Sequence, residues 1–128
     1  MLIILPIPSS EMGANKSKGK HWSSGIKLRK KAREDGYFLA LEASKNDQLI
    51  FTKKDSLKLT IHAYFVNGKH LDDDNLLLAL KNYQDGIFDF FKLQDKKVND
   101  NQITLRIVDT SFRDKENPRV EWELTVRK

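Results

Sequence analysis

The chain has 128 residues, of which 39% are apolar and 32% charged, with a formal net charge of +5 and no cysteine. These values describe a single folded domain over 1–128 rather than a disordered chain. They exclude disulfides and thiolate metal sites, fit a reducing cytoplasm, and leave no run near the ~20 apolar residues of a membrane helix.

The positive charge is local. Eight bases lie between positions 16 and 33 with no acid among them: Lys16, Lys18, Lys20, Lys27, Arg29, Lys30, Lys31 and Arg33. The rest of the chain carries 15 bases against 18 acids, so it is mildly acidic. A basic block of this kind is the footprint of a surface that meets a polyanion, or else a solvated helix face.

In chain order, Leu2 to Ile7 read as a strand rather than a signal peptide, because the run is short and broken by Pro6 and Pro8. A polar loop follows to about Trp22. Ser23 or Ser24 is then placed to cap a helix over Ile26 to Ser44, with Tyr37, Phe38, Ala40 and Leu41 as its inward stripe. Leu57, Leu59, Ile61, Ala63 and Phe65 alternate with Lys58, Thr60, His62 and Tyr64, the clearest strand in the sequence. Asn67-Gly68 supplies turn chemistry after it.

From Asn75 to Phe91 the period becomes helical. Leu76, Leu77, Leu80, Tyr83, Ile87, Phe88 and Phe91 form one apolar stripe, with Gly86 a mid-helix weakness of about 1 kcal/mol. Alternation returns at Ile103-Leu105-Ile107 and at Val120-Trp122-Leu124-Val126, joined by a polar turn from Arg113 to Pro118. The order β-α-β-α-β-β predicts an α+β fold, a small mixed sheet with two helices on it.

Asp72-Asp73-Asp74-Asn75 stands between the predicted strand and the second helix. Adjacent carboxylates repel unless a cation sits among them, and hard oxygen ligands suit Mg²⁺ or Mn²⁺. In an extended segment Asp72 and Asp74 point the same way, and Asp73 points away. An N-cap explains one of these four residues, not all. Asp74, Lys81 and Asp85, at offsets of 0, 7 and 11, fall on one polar stripe of the helix. There Lys81 meets either a phosphate oxygen or simply Asp85 in an i, i+4 ion pair. An EF-hand fails because its sixth and twelfth positions hold Leu77 and Tyr83, and His21, His62 and His70 are too scattered for zinc. Asp95, after the helix, is a further carboxylate that the chain brings back to the cluster in this reading.

The runs Asp72-x-Asp74-Asn75-Leu76, Lys81-x-x-x-Asp85-Gly86-Ile87 and Gln94-Asp95-Lys96-Lys97-Val98 resemble the RusA family of Holliday junction resolvases, in particular members found in phages and prophages. The N-terminal strand, proline-containing loop, Asn15, basic loop, His21-Trp22 and basic helix are similar too. The resemblance implies a RusA-like α+β homodimer in a bacterial cytoplasm, encoded by host or phage. It would nick four-way DNA junctions in recombination and repair with Mg²⁺, Mn²⁺ being a possible substitute. Asp72, Asp74 and Asp95 would then be the metal-binding catalytic carboxylates and Lys81 the lysine of the following helix. Asn15, Lys16, Lys18, Lys20, Lys27, Arg29, Lys30, Lys31, Lys69 and His70 would contact DNA. Many relatives carry arginines just before the first aspartate, where this chain has Lys69, His70 and Leu71. The alternatives are a junction-binding protein that cleaves weakly, or an RNA-binding module whose acids only cap and solvate a helix, with Trp22, Tyr37 and Phe38 available to stack on bases.

Overall fold

The structure is a computed structural model describing residues 1–8, 22–67 and 73–127, with side chains described from Gly25 onward in the first helix. Its elements are β1 (Leu2–Leu5), α1 (Trp22–Ser44), β2 (Leu57–Phe65), α2 (Asp73–Leu93), a 3-10 turn at Asp100–Gln102, β3 (Ile103–Arg113) and β4 (Arg119–Val126). The fold is α+β, with one mixed four-stranded sheet in the order β1-β4-β2-β3 and two helices. Among the described residues no helix is long and apolar enough to cross a membrane.

Strand β4 pairs antiparallel with both β1 and β2, while β2 and β3 are parallel. Strands β1, β2 and β3 therefore point the same way, and their carboxyl ends lie along one edge. The period-2 pattern of β2 is realised as alternating burial along its whole length. Its inward residues Leu57, Leu59, Ile61, Ala63 and Phe65 meet Val120, Trp122 and Leu124 of β4 and Ile3 and Leu5 of β1 in one core. Trp122 is fully buried beneath α2, where its indole N–H donates to Gln84 Oε1 at 3.3 Å. The buried Gln102 amide donates to the carbonyls of Thr52 and Asp55, tying the loop before β2 to the start of β3.

Helix α2 buries Leu76, Leu80, Tyr83, Ile87 and Phe91 of the stripe read from its sequence and adds Ala79, Gly86 and Phe90, while Leu77 and Phe88 are only partly buried. In helix α1 the expected Ala40 is buried and Tyr37 and Leu41 are partly buried, but Phe38 is 62% exposed, and the other buried positions are Ala32 and Gly36. Small side chains at i, i+4 spacing let the α2 backbone come close. A Cβ on Gly36 would collide with the Tyr83 carbonyl, and one on Gly86 with the Arg33 carbonyl. Gly86 is thus the crossing point of two helices, where the missing side chain is required, rather than a mild weakness.

The crossing also sets direction. Arg33 meets Asp89, Tyr37 meets Phe90, and Leu41 and Ser44 share a cavity wall with Phe90, Phe91 and Gln94. The two helices run in parallel, so both begin at the edge where β1, β2 and β3 end.

Candidate functional site at the helix starts

Helix α2 begins at Asp73, two residues earlier than its periodicity suggested, so Asp74 lies within the first helical turn rather than in an extended segment. Carboxylates there complement the positive end of the helix dipole. Asp73 Oδ1 accepts a hydrogen bond from Thr110 Oγ1 at 3.2 Å, which docks the start of α2 on the far half of β3. Thr110 carried no sequence signal. Beside it, Asp109 Oδ1 accepts from the Ser111 hydroxyl at 2.6 Å and the Ser111 N–H at 2.9 Å, and these bonds hold its carboxyl below the usual carboxylate range.

Basic side chains gather at the same edge. Lys27, Arg29 and Lys30 are exposed on the first half of α1 and make no ion pair among the described residues. The remaining described bases of that block are occupied. Lys31 Nζ donates to Asp35 Oδ2 at 2.8 Å, which raises its pKa, and Arg33 grips Asp89 through Nε at 2.6 Å and Nη2 at 2.9 Å. That bidentate pair holds the Asp89 carboxyl below its ordinary range and joins the two helices. Arg33 belongs to the fold rather than to the free basic surface.

The structure does not bring Asp95 to this site. Helix α2 is continuous from Asp73 to Leu93, and at 1.5 Å per residue Asp74 and Asp95 are about 30 Å apart. Asp95 instead ends the helix. Its φ of 56° is left-handed, its N–H donates to the Lys92 carbonyl at 3.1 Å, and the Lys96 N–H donates to the Phe91 carbonyl at 2.8 Å. This pair of bonds is a Schellman stop, with an aspartate in the place glycine usually takes. The expectation that Asp95 returns to Asp74 fails because the helix runs to Leu93 without a break.

Lys81 lies about 10 Å along α2 from Asp74 and donates to Asp85 Oδ2 at 3.3 Å, the plain i, i+4 pair that its spacing also allowed. Asp72, Asn15, Lys16, Lys18, Lys20, Lys69 and His70 lie outside the described residues, as do the side chains of Trp22, Ser23 and Ser24. Among the described residues no three His, Cys, Asp or Glu side chains form a group able to hold a metal. Comparison with protein-family models and with curated proteins finds no match. The likeness to RusA resolvases therefore rests on the residues quoted for it.

Proposed function

We propose that this domain binds branched DNA and nicks it with the help of a divalent metal, as a resolvase of four-way junctions does. The observation supporting this is the meeting of opposite charges at one edge of the sheet. The acidic start of α2 and the exposed Lys27, Arg29 and Lys30 of α1 lie at the same end of the helix pair. The strands β1, β2 and β3 end at that same edge.

Mg²⁺ commonly takes one or two carboxylates and completes its shell with water and substrate phosphate. Asp74, with Asp72 two residues before it, fits that requirement without a third ligand from the same chain. A bound ion supplies neutralisation of phosphate charge and a stronger water nucleophile near neutral pH. Lys27, Arg29 and Lys30 hold the DNA backbone, and Lys81 reaches a neighbouring phosphate along the α2 stripe. Paired nicks in a two-fold junction call for two such sites, so the domain acts as a homodimer.

The location of Asp95 favours one second reading, in which the domain binds junctions and does not cut them. Nicking of a synthetic four-way junction with and without Mg²⁺ separates the two. The first reading expects Mg²⁺-dependent nicking that falls at least about 100-fold in Asp74→Asn, with junction binding retained. Equal binding with no nicking by either protein gives the second reading. Preferential binding of single-stranded RNA would defeat both.

A further inference from the structure

Helix α2 and the outer strand β3 leave an open groove between them, lined by Leu59, Leu77, Leu78, Lys81, Gln84 and Arg106. Asp73 and Thr110 bond where α2 begins, and from there the two elements run side by side away from that edge. Arg106 faces the helix because it pairs with the inward Leu59. Lys81 is about 12 Å along α2 from Asp73, and Arg106 about 13 Å along β3 from Thr110, so the two cations come level on facing walls.

All three polar side chains of this lining have donors to offer, and among the described residues no acid lines it. Arg106 brings its guanidinium fork, and Lys81 keeps N–H groups beyond its 3.3 Å bond to Asp85. The Gln84 oxygen accepts from the Trp122 indole, so its amide NH2 is what remains for a ligand. Between these donors the groove is apolar: Leu78 is 44% exposed and Leu77 is partly buried. A ligand that fills it carries both an anion and an apolar face.

We propose that the groove takes an unpaired DNA strand, with a phosphate between Lys81 and Arg106 and a base against Leu77 and Leu78. The inference rests on the DNA-binding reading for the kind of ligand and adds to it a class of substrate: branched DNA with unpaired nucleotides at the branch point. A duplex turns its phosphates outward and keeps its bases stacked inside, so it meets the cations and leaves the leucines in water. An unpaired strand meets both, and the Arg106 plane can stack on a splayed base. An acidic peptide also matches the cations. The run of the groove from the start of α2, where the proposed function holds the DNA backbone, favours the nucleic acid.

The test is fluorescence anisotropy of the whole chain, without metal, on two labelled junctions that differ only in unpaired thymidines at the branch point, with circular dichroism as the check of fold. The wild type is expected to bind the junction with unpaired nucleotides at least about 5-fold more tightly than the fully paired one, as stacking of one base supplies. Arg106→Gln is expected to abolish that preference and lower the salt slope on the unpaired probe by about 0.7, one phosphate contact, while Arg106→Lys keeps the slope. Leu78→Ser is expected to abolish the preference and leave the slope unchanged. Equal wild-type affinity for the two junctions, or a preference that survives both Arg106→Gln and Leu78→Ser, would overturn the proposal and leave the nuclease reading standing. So would binding of a peptide of alternating Glu and Leu that Arg106→Gln weakens while both DNA affinities stay the same, since the groove would then belong to a protein partner. A wild type that binds neither junction defeats both readings, whereas one that shows the preference and never nicks defeats only the nuclease.

Discussion

The two ends of α2 carry aspartates that look alike in the sequence and differ in every physical respect. At its start, Asp73 and Asp74 sit in the first turn, favoured by the helix dipole, beside Thr110 and at the edge where α1 presents exposed bases. At its end, Asp95 holds a left-handed backbone conformation and closes the helix through its own N–H and that of Lys96. Its side chain is exposed and makes no contact with the first group. A carboxylate near a motif is thus no measure of a shared site. The continuous helix between the two decides the matter, because its length sets their separation.

The largest test of this contrast strikes the point that fixes the helix between its two ends. Gly86→Ala is expected to cost about 3 kcal/mol or more, because the added methyl meets main chain rather than a side chain that can move away. Thermal unfolding reads it, and a loss under 1 kcal/mol would mean that the helices cross elsewhere. Replacing Lys27, Arg29 and Lys30 together by Gln is expected to lower the slope of log affinity for DNA against log salt by about 2–3, through three lost phosphate contacts. An unchanged slope would remove α1 from the binding surface.

Smaller effects sharpen the other end. Asp95→Gly is expected to stabilise the fold by about 0.5–1 kcal/mol, since glycine adopts the left-handed conformation without penalty, while leaving any nicking intact. If nicking disappears instead, and returns on mixing with Asp74→Asn, then Asp95 of a second copy completes the site. The smallest effect belongs to the Arg33–Asp89 pair. Because the Asp89 carboxyl is depressed in the folded state, its contribution is present above the unfolded value of about 4 and fades as pH falls through the folded value. Asp89→Asn should flatten the acid limb of the stability profile by up to about 1 kcal/mol and remove that pH dependence.

Much of the fold was legible because large apolar side chains announce their faces. The alternation from Leu57 to Phe65 buries as its period requires, and so does the stripe from Leu76 to Phe91 except at the half-buried Leu77 and Phe88. Helix α1 misled only in part: Ala40 buries as read, but the bulky Phe38 is exposed, and Ala32 and Gly36, which carry little hydrophobic weight, take up the packing face. A stripe of small residues at four-residue spacing in α1, facing Gly86 in α2, was the signal available for the crossing. The acidic start of α2 was legible as a cluster. The role of Asp95 was not, because a left-handed helix stop announces itself in sequence as glycine and here is aspartate. Thr110 was hidden for another reason: its partner Asp73 is 37 residues away, and nothing local marks the contact.

The distance between positions 74 and 95 tests the account most directly, and the absence of native cysteine makes it accessible. Asp74→Cys/Asp95→Cys, spin-labelled at both thiols and diluted with unlabelled chain, is expected to give a mean separation of about 30 Å by pulsed dipolar spectroscopy. A distribution centred below about 15 Å, as joint ligation of one ion at about 2 Å per oxygen demands, would contradict it and return Asp95 to the site at the start of α2.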